Sequence, residues 1–484
     1  MKRVLILSLL LATAREIRAD ATPLVHLEGD RLTVSASQAP LRSILAALAR
    51  ANVDVRLDPS IDVLVTGSCR NAPVEEALDA LLENYSYVTF WDVIPGPLGD
   101  LARLSELQVF SQGHRQAARP LPKENENFVV TRAPSGGPAF VADELLLTVR
   151  AGVTAEEFRH LLAQIGGTVV GSVPQLGVYR ILIPPGSNVT DLVAQLARNP
   201  LLQSVEPNYV HQLPAPSLVR DVAAASSSAA APAAAEGAPR LAVLDSGLLP
   251  GSGAEGNVVG RFDALDPTRS LSDPAGHGTQ MALIASGAVQ PDGATESSEG
   301  VPLVAIRAFD ANGQTSNFAL MRALTYAMDQ GARVINLSWG SETDSGFVAN
   351  AIAYAQSRGA VVVAAAGNEP TGRTVYPAAY QGVVAVAALD ASGKPWSNSN
   401  YGNFVDVAAP GAATMPVGYQ GSAGSYAGTS IASAYVAREL ALYLNRHPTA
   451  TPAQAIAALY QSLSPGQTNY GSGILDSTAA SRFR

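Results

Sequence analysis

Three segments of this 484-residue chain that read as buried strands end on residues that could do acyl chemistry. Leu241-Ala242-Val243-Leu244 leads into Asp245, then Ser246-Gly247. Val334-Ile335-Asn336-Leu337 leads into Ser338-Trp339-Gly340. Val361-Val362-Val363-Ala364 leads into Ala365-Ala366-Gly367-Asn368. Unbroken apolar runs mark strands buried on both faces of a parallel sheet. Residues just past the carboxyl ends of such strands line the binding crevice. Asp245 is thus placed where a carboxylate could orient a base, and Asn368 where an amide could meet a developing oxyanion. Two more candidates open helices. Gly276-His277-Gly278-Thr279 precedes an expected helix over 280–286, its glycines letting other backbone approach the imidazole. Gly428-Thr429-Ser430 precedes an expected helix over 431–445, where a serine hydroxyl is exposed and its backbone N–H points at incoming negative charge. Each residue also has an ordinary reading: asparagine as a turn former, serine as an N-cap, histidine as a cap or a packed ring.

In chain order these are Asp, His, Asn and Ser, and the frames D-S-G, G-H-G-T, S-W-G, A-A-G-N and G-T-S resemble the subtilisin-like (S8) serine protease family. Y-P-A at Tyr376, S-N-S-N-Y-G at Ser397, V-A-A-P-G at Val407 and Y-G-S-G-I-L-D at Tyr470 extend the resemblance over 239–484. The resemblance implies a subtilisin-like α/β fold, a parallel sheet with helices on both faces. It also implies a serine endopeptidase. His277 would take the Ser430 proton during attack and return it to the leaving amine. Asp245 would hold the imidazole tautomer. The Asn368 amide and the Ser430 N–H would stabilise the oxyanion, and one such donor is worth ~10²–10³ in turnover. Ser338, Trp339 and Gly340 would pair with the substrate backbone by strand addition. Ala365, Ala366 and Gly367, with the Tyr376-Pro377-Ala378 region, would shape the specificity pocket.

The sequence departs from the family at three places. Ala434 stands where the helix after the serine usually has a proline. Gln280-Met281-Ala282-Leu283 is bulkier than the usual H-V-A-G, and Gly300-Val301-Pro302-Leu303 replaces G-V-A-P. No reacting group is lost, but the helices presenting them could shift. A second reading is therefore a catalytically silent protease fold serving as a binding or envelope-docking protein.

Composition sets the frame around this site. Hydrophobic residues are 47% and charged residues 15% of the chain, against ~25% charged in an ordinary domain. A disordered polyelectrolyte is excluded. The net charge of −9 gives no electrostatic reason to bind nucleic acid. A single cysteine, Cys69, excludes an intrachain disulfide framework. No metal site is expected. Calcium stays an open option without a clear site, since Asp292, Glu296 and Glu299 in one loop read as a solvated face. No cofactor is expected either, and the expected state is a monomer.

Five further segments precede the catalytic region. Lys2 and Arg3 before the apolar run Val4–Ala12, with Ala12-Thr13-Ala14 and Ala19 behind it, read as a signal peptide over 1–19. The run is too short for a bilayer span, which needs ~20 residues. A periplasmic or secreted product is expected.

Residues 24–112 read as an α+β module in the order β-α-β-β-α-β. Its helices open at Pro40 (apolar face Leu41, Ile44, Leu45, Leu48) and Pro73 (Val74, Leu78, Leu81, Leu82). The runs L-T-V-S-A-S-Q-A-P-L-R-S-I-L-A-A-L, D-P-S-I and N-A-P-V-E-E-A-L-D-A-L-L resemble the short N-terminal domain of secretins and TonB-dependent receptors, which implies an envelope protein partner. The insert Pro95 to Arg103 departs from the tight closing hairpin expected there. Residues 113–140 read as a polar linker.

Residues 141–211 repeat the order β-α-β-β-α-β in a ferredoxin-like way, with Thr154 and Glu157 spaced as a capping box. Their ending, N-P-L-L-Q-S-V-E-P-N-Y-V, resembles the inhibitor prodomains ahead of subtilisin-like proteases. That implies a self-processing zymogen whose own prodomain blocks the cleft against protein or peptide substrates. Residues 212–238, rich in Ala, Ser and Pro, read as an exposed joint.

Overall fold

The computed structural model describes residues 24–51, 53–96, 98–121, 129–134, 136–214, 217–221, 230–294, 297–417, 423–466 and 468–484. The signal-peptide reading of 1–19 lies outside the described residues. The described residues fall into two compact units. One holds 24–94, 100–121 and 166–170, the other 95–99, 129–165 and 171–484.

In the first unit the helices Leu41–Arg50 and Val74–Leu81 form where the two prolines predict them. Leu41, Ile44, Leu45 and Leu48 are buried, as are Val74, Leu78 and Leu82. Ala77 is buried beside Val74 and Leu78 on one helical stripe, and Leu81, at the end of that stripe, is half-buried. The order is β-β-α-β-β-α-β-β. Leu24–Glu28 makes a hairpin with Arg31–Pro40, and Leu64–Pro73 adds to that sheet. Residues 95–100 join Ser86–Ile94 to Leu101–Phe110, an antiparallel pair whose register closes at Ile94 opposite Leu101.

In the second unit Ala139–Val149 is flanked by Val178–Leu182 and Leu202–Gln212, all antiparallel. The expected capping box is made: the Glu157 N–H donates to Thr154 Oγ1 at 3.2 Å, and the Thr154 N–H donates to Glu157 Oε2 at 2.8 Å. The two segments read as linkers are more structured than expected. In 113–140, Arg119–Pro120 pairs with Asp54–Leu57, and Val130–Arg132 pairs with Ala139–Val149. In 212–238, Ser217–Asp221 pairs with Gly424–Ala427, and Asn257 Nδ2 donates to the Pro232 carbonyl at 2.8 Å. Arg119–Pro120 and Ser217–Asp221 are paired by backbone to distant chain, which leaves no local apolar period.

The catalytic region is built on seven parallel strands. Their spatial order is Val258–Asp263, Leu303–Arg307, Arg240–Asp245, Ala332–Leu337, Val361–Ala365, Val383–Leu389, Val407–Pro410. The apolar runs are continuous because alternate side chains serve opposite faces. Leu241, Val243, Val334, Val361 and Val363 pack on one side with Met281, Leu283, Ile284, Ile431 and Val436. Ala242, Leu244, Ile335, Leu337 and Val362 pack on the other with Phe318, Leu324, Phe347 and Ile352. The first layer is made by helices His277–Ser286 and Thr429–Arg446, which start three and two residues earlier than expected. Every residue of His277–Ser286 is buried, so Leu283 fills core volume rather than standing out from it.

Replacing Leu283 by alanine should therefore lower unfolding free energy by ~2–5 kcal/mol. Urea titration followed by tryptophan fluorescence measures it, and a loss under ~1 kcal/mol would mean the site collapses around the smaller side chain.

Candidate active site

Asp245 is the last residue of its strand and is fully buried. Its Oδ1 accepts the Ser246 N–H at 2.8 Å and faces His277 Nδ1 at 2.7 Å. The ring nitrogen at that contact is therefore the protonated one, leaving Nε2 as the basic atom of neutral imidazole. The two turns meet because Gly278 carries no side chain at the contact, and Gly247 none against the loop before the helix. A Cβ on Gly278 would stand about 2.5 Å from the Gly247 carbonyl oxygen, and one on Gly247 would fall on the Ser272 carbonyl. Gly247 also sits at φ +123°, which L side chains rarely adopt. The Gly278 N–H donates to Ser246 Oγ at 2.8 Å, closing the junction.

Sequence reasoning missed Asp273. Its Oδ1 accepts the Gly276 N–H at 2.8 Å, and its Oδ2 accepts the Thr279 N–H at 2.7 Å and the Thr279 hydroxyl at 2.6 Å. It satisfies the opening turn of the His277 helix, which would otherwise leave N–H groups without acceptors. The spacing Asp-x-x-x-His is its sequence signal. Burial pulls the His277 pKa down. The charge and hydrogen bond of Asp245, with the charge of Asp273 behind them, more than offset this and hold it above the ordinary 6.5.

Ser430 lies in the first turn of Thr429–Arg446 and is buried. Its hydroxyl donates to the Ser338 carbonyl at 2.9 Å. Asn368 is oriented by the residue before that serine. Its Oδ1 accepts the Thr429 N–H at 3.0 Å and the Thr429 hydroxyl at 2.8 Å. Its buried Nδ2 has no hydrogen-bond partner among the described residues. A Cβ on Gly428 would stand 3.4 Å from that Nδ2, so the open amide lies beside the Gly428-Thr429-Ser430 turn. A buried amide donor without an acceptor costs ~1–3 kcal/mol, which is tolerated where an acceptor arrives later.

The residues expected to bind substrate surround this turn. Ser338 supplies the carbonyl that holds Ser430. Trp339 is 1% exposed, with its ring 5.3 Å from His211 and 6.0 Å from Phe309. A Cβ on Gly340 would meet Val375 Cγ1 at 2.5 Å. Ala365 and Ala366 are buried at the end of their strand, and the Gly367 N–H donates to Thr429 Oγ1 at 3.2 Å. His211 shows no partner pattern in the sequence, yet it is bonded on both ring nitrogens, to Ser341 and Asn317. Of the acidic loop, the Glu299 carboxylate is ion-paired with Arg446, and Glu296 lies outside the described residues. Among the described residues no three His, Cys, Asp or Glu side chains gather as a metal set.

Fold and site define a subtilisin-like serine endopeptidase, and the chain belongs to the subtilase family, whose model matches residues 237–478. A fervidolysin N-terminal prodomain matches residues 127–208, so the protease carries a prodomain ahead of its catalytic region. The chain is 33% identical over 327 residues to a thermophilic serine proteinase of Bacillus sp. (strain AK1), covering 63% of this chain and 78% of the relative. It is 36% identical over 200 residues to thermitase of Thermoactinomyces vulgaris, covering 41% and 72%. Among solved structures, fervidolysin of Fervidobacterium pennivorans, a keratinolytic enzyme related to subtilisin, shares the fold. The TM-score is 0.57 at 22% identity, over 74% of this chain and 63% of that one.

Replacing Asp273 by alanine should lower the pKa of His277, because a negative charge near the ring is removed, and cost at least ~2 kcal/mol through the orphaned donors. Imidazole proton NMR against pH and a denaturant titration read the two effects. An unmoved imidazole pKa would mean that Asp273 only caps the helix.

Proposed function

We propose that Asp245, His277 and Ser430 form a catalytic triad with Asn368 as oxyanion donor, in an exported endopeptidase made as a self-processing zymogen. The observation that carries this reading is the 2.7 Å contact of His277 Nδ1 with Asp245 Oδ1, together with an Asn368 amide whose oxygen Thr429 holds and whose buried Nδ2 has no partner among the described residues. During attack the Ser430 hydroxyl leaves the Ser338 carbonyl and passes its proton to His277 Nε2. The imidazolium is held by the Asp245 carboxylate and returns the proton to the leaving amine. The oxyanion is met by Asn368 Nδ2 and the Ser430 N–H. Ala434 and Leu283, the departures from the family, are both buried within the core around these helices. No observation favours a catalytically silent binding protein.

The zymogen reading is supported by strand pairing of the end of the prodomain and the segment after it with the catalytic region. Leu202–Gln212 pairs antiparallel with Gln314–Ser316, and the Leu213 N–H donates to the Gly313 carbonyl at 2.8 Å. Ser217 pairs with Ala427, three residues before Ser430. We place the processed bond between 213 and 218. Residues 141–211 would be the inhibitor, 1–19 the export signal to the periplasm or beyond, and 24–112 an envelope-docking module. The proposed chemistry uses no cofactor and needs no second copy of the chain.

Wild-type protein should label with a fluorophosphonate and yield a new N-terminus between 214 and 218. The Ser430→Ala chain should do neither. A wild-type chain that stays full length and unlabelled would refute the proposal.

The imidazole must be neutral to act as base. Activity should therefore be lost below its raised pKa and appear as pH climbs through it. Replacing Asp245 by asparagine should cut turnover ~10⁴-fold and move the acid limb of kcat/KM to lower pH. An acid limb that stays in place would assign it to another group.

A further inference from the structure

The end of the prodomain is paired strand to strand with the catalytic region. Gln314–Ser316 pairs with Leu202–Gln212 and with no other described strand. Its outer edge is therefore what an incoming peptide finds once the prodomain leaves. Along that edge His211 stands opposite Thr315, and Leu213 follows two residues on, bonded to Gly313. Alternate residues of a strand share a face, and here His211 and Leu213 are buried while Gln212 is exposed.

The seat of His211 is polar and specific. Asn317 is buried, and its Nδ2 donates to Ser345 Oγ at 2.8 Å, which turns Oδ1 toward the imidazole. That Oδ1 can only accept, and it lies 2.7 Å from His211 Nε2. The other ring nitrogen then accepts from the Ser341 hydroxyl at 2.9 Å. The Trp339 ring forms a wall, 5.3 Å away and tilted by 45°. Both ring nitrogens are thus satisfied by a single neutral tautomer. Burial lowers the His211 pKa, only partly opposed by the Asn317 bond, in keeping with a neutral ring. An aliphatic or phenyl side chain of similar size would leave the Asn317 carbonyl and the Ser341 hydroxyl unsatisfied. A site built to hydrogen-bond a group discriminates strongly against analogues lacking it.

We propose that Asn317 and Ser341 are specificity-determining residues that select histidine in substrates. The substrate class is an extended peptide carrying His-x-aliphatic on the amino side of the cleaved bond, bound as the prodomain tail is bound. This rests on the endopeptidase reading above.

The test uses processed wild-type protein and two fluorogenic peptides spanning residues 205–221 of this chain. One has histidine at the position matching 211, the other leucine. We expect kcat/KM to favour the histidine peptide by ~10-fold or more in the wild type. The ratio should collapse toward unity in Asn317→Leu. Since Asn317 is buried, Ser341→Ala is the second variant. It should lower the ratio to an intermediate value, with a thermal melt confirming that each variant is folded. Equal rates on the two peptides in wild type would overturn the proposal, as would a ratio that neither folded variant moves. Cleavage of neither peptide by the wild type would instead sink the endopeptidase reading.

Discussion

The close approach of two turns, Asp245-Ser246-Gly247 and Gly276-His277-Gly278, is the constraint on which the rest of the site depends. A carboxylate and an imidazole on separate elements reach 2.7 Å only if the backbones beneath them touch. They touch because Gly278 has no Cβ to strike the Gly247 backbone, and Gly247 none to strike the Ser272 carbonyl in the loop before the helix. The parallel sheet sets one turn by ending the central strand at Asp245. The helix sets the other by starting at His277 with its first donors capped by Asp273. Charge then acts in a nearly water-free setting, where the field of a carboxylate is much less screened than in water. This is why two acidic groups outweigh the desolvation of the ring.

The parts of this arrangement legible in the sequence are those that repeat a local rule. Buried parallel strands announce themselves as aliphatic runs, interrupted here only by Asn336 near the end of one, so the carboxyl ends at Asp245, Leu337 and Ala365 fall within a residue of their expected places. The glycines beside His277 mark a tight approach before the partner is known. The Thr154–Glu157 box is readable because both halves lie within one turn.

What stayed hidden is non-local. The strands Arg119–Pro120 and Ser217–Asp221 lie in Pro- and Ala-rich stretches, and distant backbone alone makes them strands. Asp273 looks like an ordinary loop aspartate until the helix it caps is in place. His211 has nothing around it in sequence, since Asn317 and Ser341 come from chain more than a hundred residues away. The extra strands of the first unit are hidden for the same reason. Leu64–Pro73 contains Gly, Ser, Asn and Pro, poor strand formers, and is held by pairing with Arg31–Pro40.

The serine is positioned differently from the histidine. It rides on one long helix, Thr429–Arg446, and a tilt anywhere along that helix moves the hydroxyl. Misplacement by ~1 Å can cost ~10²-fold in rate. The amino end is held by Thr429 on Asn368 and by Ser430 on Ser338. Further along, Arg438 and Glu439 are fully buried. Arg438 donates to the Glu299 carbonyl at 2.9 Å, and Glu439 takes two bonds from Arg484, at 2.6 and 2.7 Å. A buried ion network is weak evidence for stability, because desolvation offsets most of the attraction. Its better-attested use is to fix register, since breaking one pair leaves a buried charge with no compensation. The helix is thus bonded at Ser430 and again at Arg438 and Glu439, and Ala434, where the family usually has a proline, lies buried between these two points.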